Sequence, residues 1–169
     1  KGGTGKTTFA FQMARTFALH NIKTLVIGLD AQESITQTLN RSANIEDRIE
    51  REHAKGICQL LSANVSINDC IQQTDLPSLD YIPETIELSI LDRWLKERTR
   101  KEYVIAEKIV SPIFNTRHYD IIIFDCNPSW SDTVTSALAA TDILISPLGC
   151  DINSLKAANI FVGILDAFQ

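Results

Sequence analysis

The sequence of 169 residues lacks any apolar run long enough to cross a membrane as a helix. Such a helix needs about 20 consecutive apolar residues, and no signal peptide is visible either. Internal repeats, low-complexity segments and linkers are also missing. These absences argue against a membrane span, a repeat array or a disordered tail, and favour one globular domain.

Metal-binding patterns of cysteine and histidine are absent as well. The four cysteines lie far apart without a C-x-x-C pair, and the three histidines are equally scattered. These spacings argue against a zinc or iron–sulfur site and favour buried thiols in a reducing cytoplasm. The net charge of -5 argues against a protein that is basic overall. Binding to nucleic acid depends on how charge is distributed, so a local basic patch stays open.

The first eight residues carry the clearest chemical signal, with the sequence Lys-Gly-Gly-Thr-Gly-Lys-Thr-Thr. They match the phosphate-binding pattern G-x-x-x-x-G-K-[ST], except that Lys1 stands at the position of its first glycine. The glycines let successive backbone N–H groups point at one centre, and the N-terminus of a following helix completes an anion site. Apolar residues at helical spacing predict that helix through Leu19. A glycine-rich turn that binds nothing is the alternative.

The side chains of this loop have separate predicted roles. Lys6 supplies a mobile positive charge for the β- and γ-phosphates, the Thr7 hydroxyl ligates Mg²⁺, and Thr8 reaches the α-phosphate. A buried strand normally precedes such a loop, and none precedes it here. We therefore expect exposed strand edges and a chain that folds poorly by itself. The predicted phosphate-binding residues of the loop are Gly2, Gly3, Thr4, Gly5, Lys6, Thr7 and Thr8.

Alternating strand and helix patterns predict an α/β fold, with a doubly wound, mostly parallel sheet and helices on both faces. Short apolar runs predict buried strands at residues 23–30, 79–82, 119–125 and 142–148. A charged stretch predicts a surface excursion, and periodic stretches predict helices. The excursion covers residues 41–53, and the helices cover 34–40, 57–61, 67–72, 86–113 (broken once), 132–140 (capped by Ser131 or Asp132) and 153–168.

Two acids are predicted to converge on the loop. Asp30 and Asp125 each end an apolar run, and ligands of such sheets sit beyond the carboxyl ends of the strands. Asp125 is predicted to hold Mg²⁺, usually through water, with a loop or cap acid as the alternative. Asp30 is predicted to orient the water that attacks the γ-phosphate or to sense the Mg²⁺ shell; a helix cap is the alternative. Asn127 and Pro128 lie in a loop placed to respond to the γ-phosphate.

These motifs resemble those of the ParA/MinD family of P-loop ATPases. The octapeptide is similar to the family's deviant Walker A motif, and Leu-Asp-Ala-Gln at 29–32 is similar to its Asp-Leu-Asp-Pro-Gln segment. Asp-Cys-Asn-Pro-Ser at 125–129 is similar to its Walker B and switch II segment. The resemblance covers essentially the whole chain and is closest to ParA partitioning ATPases. It implies a single P-loop ATPase domain over residues 1–169, incomplete at both ends, without the strand before the loop and without the C-terminal part.

The resemblance also implies a mechanism and a set of partners. Lys1 would reach across a homodimer to the partner's nucleotide, so that two ATP molecules are sandwiched between subunits. Lys1, Lys6 and Asp30 would be catalytic, and Thr7, Asp125 and Asp30 would hold Mg²⁺. Hydrolysis of ATP to ADP and phosphate would switch non-specific DNA binding in plasmid or chromosome partitioning. A ParB-type centromere-binding protein would stimulate hydrolysis in the cytoplasm, on the nucleoid, without a membrane.

Two departures from the family pattern leave alternatives open. Gly28 stands where the family often has the first Asp of its segment, and Ala31 replaces its Pro. Losing that carboxylate affects the expected hydrolysis rate more than ATP binding. The alternatives are a MinD-like membrane-associated positioning ATPase and an ATP-binding scaffold with little hydrolysis. The basic residues within 86–113 are interleaved with acids, which favours a solvated helix face over a nucleic-acid contact.

Overall fold

Four strands form one sheet, in the order β2-β3-β1-β4. The structure is a computed structural model that describes residues 3–32, 34–40, 55–63, 65–84, 88–116 and 119–166. Strand β1 runs parallel to β3 and to β4, and only the short β2 is antiparallel to its neighbour β3. The mostly parallel sheet confirms the predicted fold class. The strands are β1 (Thr24–Leu29), β2 (Gln72–Gln73), β3 (Leu79–Ile82) and β4 (Ile121–Cys126).

Helices cover both faces of the sheet, as the apolar strand runs predict. The longest elements are α1, which follows the phosphate-loop segment, and α8 at the far end of the described residues. None of the helices within the described ranges is long and apolar enough to cross a membrane. The α-helices are α1 (Lys6–Leu19), α2 (Ser34–Leu39), α3 (Ile57–Ser62), α4 (Ile67–Cys70), α5 (Leu88–Lys96), α6 (Ser111–Thr116), α7 (Asp132–Ala139) and α8 (Ile152–Asp166).

The central strand β1 divides two hydrophobic cores. Its six residues are all buried, and alternate side chains point to opposite faces of the sheet. Leu25, Ile27 and Leu29 pack into the larger core, with residues of α3, α5 and the helical stretch that ends in α6. Val26 packs into the smaller core, with residues of α1 and α2. The face that carries α1 is the one on which the loop and its acids are expected.

The stretch predicted as one long broken helix is confirmed in its described part. Helix α5 ends at Lys96, and Arg100 has a φ of 58°, in the left-handed region. A right-handed helix cannot continue through that conformation, so the break falls there. A 3-10 turn at Lys101–Tyr103 and a π-helical turn at Ala106–Val110 then lead into α6. The predicted start of this stretch at residues 86–87 lies outside the described residues.

One predicted strand is wrong. Residues 142–148 form no strand, and Ile143 and Ile145 are 77% and 50% exposed. In the described part of the chain β4 pairs with β1 alone, so no strand lies beside it to align this segment. An apolar run supplies side chains for a core, but a strand also needs backbone partners for its N–H and C=O groups.

Smaller differences concern element ends. Helix α4 ends at Cys70, before the predicted residue 72, because Gln72 begins β2. The predicted surface excursion at 41–53 lies outside the described residues, and so do the last residues of the final predicted helix. Ser131 is confirmed as the cap of α7, since its hydroxyl accepts a hydrogen bond of 3.2 Å from Val134 N.

Candidate functional site

Two glycines of the phosphate-loop segment adopt left-handed backbone conformations. Gly3 and Gly5 have φ angles of 84° and 81°, which L side chains rarely adopt. A Cβ built on either glycine would meet nothing within 4 Å, so the need for glycine here is conformational, and the space in front of the loop is open. Lys1 and Gly2, which the sequence also assigned to this site, lie outside the described residues.

Helix α1 begins directly after this turn. Gly5 is its N-cap and offers no side chain to bond the first N–H groups, and the first helical bond runs from Phe9 N to Gly5 O at 2.8 Å. The N–H groups before Phe9 have no partner within the helix. Together with the positive end of the helix dipole, they favour an anion at this end of α1. Lys6 and Thr7, the first two residues of α1, therefore flank an anion-binding position.

Asp125, near the carboxyl end of β4, places its carboxylate close to this end of α1. It is 3% exposed near the end of β4, and its Oδ2 has no hydrogen-bond partner. Burial raises the pKa of Asp125, and the charge of Asp30 raises it further, whereas the Thr7 hydroxyl and the Lys6 charge lower it. Lys6, Thr7 and Asp30 thus lie close enough to Asp125 to affect its pKa. The predicted convergence of the loop with both acids is what the structure shows.

Asp30 lies immediately after β1 and is partly exposed. Its Oδ1 accepts a hydrogen bond of 3.0 Å from Gln32 N, which closes an Asx-type turn at the start of the segment leading to α2. Helix α2 begins at Ser34, so Asp30 does not cap it from the adjoining position. The turn holds the Asp30 backbone at the sheet edge and leaves the second carboxylate oxygen for other partners.

The segment after β4 is a structured turn. Asn127 Oδ1 accepts a hydrogen bond of 3.1 Å from Ser129 N, and Pro128 is exposed. Only one residue separates this turn from Asp125, so a displacement of the turn would be felt at the buried carboxylate. Its response to a γ-phosphate stays a prediction.

One buried acid was missed by the sequence reasoning. Glu84 lies two residues beyond β3 and is 3% exposed, with Oε1 buried and without a hydrogen-bond partner. Burial, with a contribution from the Asp125 charge, raises the pKa of Glu84 to about 8. The rule that found Asp30 and Asp125 also applies to Glu84, because it follows the carboxyl end of a parallel strand. A proline between strand and acid concealed the pattern.

The donor set fits a hard cation better than a soft one. Mg²⁺ prefers oxygen ligands, keeps several waters, and is usually held by one or two carboxylates with substrate phosphates. Asp125 offers a buried oxygen without a partner, beside the Thr7 hydroxyl. Over the ranges that the structure describes, no group of three or more His, Cys, Asp or Glu side chains would form a complete protein cage. A partly hydrated Mg²⁺ shared with a phosphate ligand suits this arrangement.

Comparison with known proteins agrees with the geometry. A family model described as an AAA domain matches residues 1–169. The chain is similar to the chromosome-partitioning ATPase Soj of Treponema pallidum, with 28% identity over 169 residues, which cover 100% of this chain and 62% of that protein. The chain therefore spans less than two thirds of this relative's length.

Two solved structures extend the comparison to three dimensions. A structure described as a plasmid partition protein from Borrelia burgdorferi B31, bound to AMPPNP, superimposes with a TM-score of 0.77 at 29% identity. That superposition covers 98% of this chain and 68% of the other. Cobyrinic acid a,c-diamide synthase from Mycobacterium smegmatis, solved with an ATP analog and magnesium, gives a TM-score of 0.84 at 22% identity, over 100% and 65% of the two chains. The second likeness concerns the fold alone.

Proposed function

This chain belongs to the AAA domain family, in its ParA-like branch, and on that premise we propose that it is a Mg²⁺-dependent ATPase of the ParA type. The proposal includes hydrolysis of ATP to ADP and phosphate as a switch in plasmid or chromosome partitioning. The observation that carries it is the buried Oδ2 of Asp125, which has no hydrogen-bond partner and belongs to a carboxylate whose pKa is raised by burial and lowered by Thr7 at the start of α1. A carboxylate, a hydroxyl group and the unbonded N–H groups at the start of a helix are together suited to bind a nucleotide with its Mg²⁺.

Each residue of the site has a proposed task. Backbone N–H groups of Gly3 to Gly5 and the Lys6 ammonium bind the β- and γ-phosphates, and the open space beside Gly3 and Gly5 supports this assignment. Thr7 and Asp125 hold Mg²⁺, which supplies charge neutralisation for the phosphates when it is bound. Asp30 orients the attacking water from its turn after β1. Thr4, Thr8, Asn127 and Pro128 complete the nucleotide contacts.

The switch itself rests on the family and on the names of the relatives. We propose that ATP brings two copies together with Lys1 of each reaching the other's nucleotide, as an arginine finger does. The dimer would bind DNA non-specifically, on the nucleoid in the cytoplasm, and a ParB-type protein would stimulate its hydrolysis. The Treponema relative is named a chromosome-partitioning ATPase, and the Borrelia structure a plasmid partition protein, which supports this assignment.

Phosphate release from the full-length protein tests the enzyme assignment. We expect Mg²⁺-dependent release in the presence of DNA and the partner protein, and a loss of about 100-fold in Asp30→Ala, because a positioned base contributes on that scale. Release that is absent under all these conditions would overturn the ATPase assignment in favour of the scaffold. Equal release in Asp30→Ala would overturn the role of Asp30 and leave the enzyme assignment standing.

Dimerisation has its own test at Lys1. The Lys1→Ala variant is expected to bind nucleotide as a monomer and to lose ATP-dependent dimerisation, since the proposed contact lies across the interface. Light scattering with a non-hydrolysable ATP analogue measures this directly. An intact dimer in the variant would contradict the proposed role of Lys1 while leaving Lys6 and Asp125 unaffected.

A further inference from the structure

Glu84 occupies the space in which position 28 would otherwise carry a side chain. A Cβ built on Gly28 would overlap the Cγ and Cδ atoms of Glu84 and would lie 2.7 Å from its Oε1. Real Cβ atoms do not come this close to other heavy atoms, so any side chain at position 28 would have to displace the Glu84 carboxyl. A carboxyl group from the end of β3 therefore lies over the end of β1.

The same carboxyl shares a face of the sheet with Asp125. Gly28 is the register partner of Asp125 across the parallel pair β1 and β4. Paired residues of parallel strands point to the same face and are separated by about 4.8 Å. Glu84 fills the side-chain volume of Gly28, so its carboxyl stands one strand away from that of Asp125. Each of the two acids has one buried oxygen without a hydrogen-bond partner, namely Glu84 Oε1 and Asp125 Oδ2.

Glu84 is also fastened to the segment that follows Asp30. Its Oε2 accepts a hydrogen bond of 3.2 Å from Thr36 N, and Thr36 Oγ1 accepts one of 3.0 Å from Glu84 N. Thr36 lies in the first turn of α2, and Asp30 begins the turn that leads there. This pair of bonds joins the end of β3 to the start of α2. It restricts how far the Asp30 turn can move relative to the sheet.

We propose that Glu84 is a positioning residue of the nucleotide site, whose carboxyl stands in for a side chain at position 28 and holds Asp125 and the Asp30 turn in place for a magnesium nucleotide. The claim that Glu84 fills the space at position 28 depends on Gly28 and Glu84 alone. The claim that Glu84 supports a magnesium site rests on the proposed function. Asp30 and Asp125 remain the groups that face the ligand, and Glu84 acts through them.

Relocating the carboxyl tests the proposal. The change Gly28→Asp introduces a carboxyl group next to the space that the Glu84 side chain now fills, provided that residue 84 is shortened. Four variants of the full-length protein are compared with the wild type: Glu84→Ala, Gly28→Asp, the double variant Gly28→Asp/Glu84→Ala, and the control Gly28→Ala/Glu84→Ala, which refills volume without a carboxyl. The readouts are the melting temperature without nucleotide, and the gain in affinity for a fluorescent ATP analogue when Mg²⁺ replaces EDTA.

Both single changes are expected to lower the melting temperature, by about 5 °C for Glu84→Ala, and by more for Gly28→Asp because of the overlap. Glu84→Ala should also reduce the magnesium-dependent gain about tenfold, the scale seen when a group that supports metal ligands is removed. The Gly28→Asp/Glu84→Ala variant should recover most of both losses. The Gly28→Ala/Glu84→Ala control should recover melting temperature in part and leave the magnesium gain about tenfold low.

Three outcomes decide the question. Single effects that simply add in the Gly28→Asp/Glu84→Ala variant would overturn the proposal, because the two positions would then act independently. Full recovery of the magnesium gain in the alanine control would also overturn it, since Glu84 would then be a space filler. If the wild type shows no magnesium-dependent binding, the proposed nucleotide function is overturned instead. The melting temperatures would still show whether a carboxyl at position 28 can replace the one at position 84.

Discussion

Two apolar segments of six residues take opposite positions in this molecule. Strand β1, with the sequence Thr-Leu-Val-Ile-Gly-Leu, is buried at every residue. Residues 143–148, with the sequence Ile-Leu-Ile-Ser-Pro-Leu, form no regular element, and Ile143, Leu144, Ile145 and Leu148 are all exposed. Both segments would be assigned the same structure from hydropathy alone. The difference must therefore come from something other than apolar content.

Backbone pairing is that difference. Strand β1 has a hydrogen-bonded neighbour on each side, β3 and β4, so its polar backbone is satisfied and its side chains can be buried on both faces. The exposed segment has no strand partner within the described residues. Pro147 also removes one N–H donor from it. The burial of β1 on both faces thus goes together with partner strands on both of its edges.

Amide hydrogen exchange gives the largest expected contrast. Amides of β1 should exchange at least about 1,000-fold more slowly than those of residues 143–148, because opening a buried central strand needs near-global unfolding. Mass spectrometry of peptides from the two segments after exchange in the full-length protein measures this. Equal protection in both segments would contradict this contrast, because the backbone of residues 143–148 would then be hydrogen-bonded in solution.

A matched pair of truncations gives the next largest effect. Ile27→Ala removes a fully buried side chain from the larger core and should lower the free energy of unfolding by about 3 kcal/mol. Ile143→Ala removes the same atoms from a side chain that is 77% exposed, and should change it by no more than about 0.5 kcal/mol. Urea denaturation of the full-length protein measures both. A cost above about 2 kcal/mol for Ile143→Ala would show that the exposed segment is buried in solution.

The contrast explains how far the sequence could predict the fold. The position of β1, the run that ends at Asp125 and the helix after the phosphate loop followed from apolar spacing, because each has both a core and a backbone partner. Residues 142–148 have the same spacing, but spacing carries no information about whether a neighbouring strand exists. The break near Arg100 was predicted as a break; its exact place depends on a left-handed backbone conformation that charge patterning does not reveal.

The candidate site divides in a similar way. Lys6, Thr7, Asp30 and Asp125 were predicted because local motifs and the sheet-edge rule both apply to them, and the structure brings them together. Glu84 was missed because its role depends on Gly28, which lies 56 positions earlier along the chain. The loss of a side chain at one strand end and the presence of a carboxyl at another become related only when β1 and β3 pair. The Glu84 side chain fills the volume beside Gly28 only in the tertiary structure, so local sequence patterns do not reveal it.

The same substitution at two aspartates, Asp125 and Asp142, compares the candidate site with the exposed segment. Asp125→Asn should weaken magnesium-dependent binding of a fluorescent ATP analogue at least about tenfold, since it removes charge from a buried carboxylate beside Thr7. Asp142→Asn makes the same chemical change next to the exposed segment, at an exposed residue, and should leave that binding within about twofold of the wild type. Titration with and without Mg²⁺ measures both. Equal losses would mean that the exposed segment contributes to the site.

A separate expected effect concerns pH and the buried Glu84. The pKa of this carboxyl is raised from 4.5 to about 8 in the folded chain, so between these values the folded state holds a proton that the unfolded state has released. The free energy of unfolding should therefore fall as pH rises through this window, by at most about 1.4 kcal/mol per pH unit. Glu84→Gln, which is uncharged at every pH, should remove that slope, so its advantage over the wild type should grow from pH 5 to pH 8.

Urea denaturation at each pH, with Asp142→Asn as the control that removes an exposed carboxylate, separates this slope from a general charge effect. The charge that faces Glu84 is that of Asp125, which raises the pKa of Glu84, whereas the bonds from Thr36 lower it. Parallel curves for the wild type and Glu84→Gln would mean that Glu84 titrates normally. Water would then reach the Glu84 carboxyl as freely as it reaches residues 143–148, and the burial that distinguishes this end of the sheet from the exposed segment would not exist.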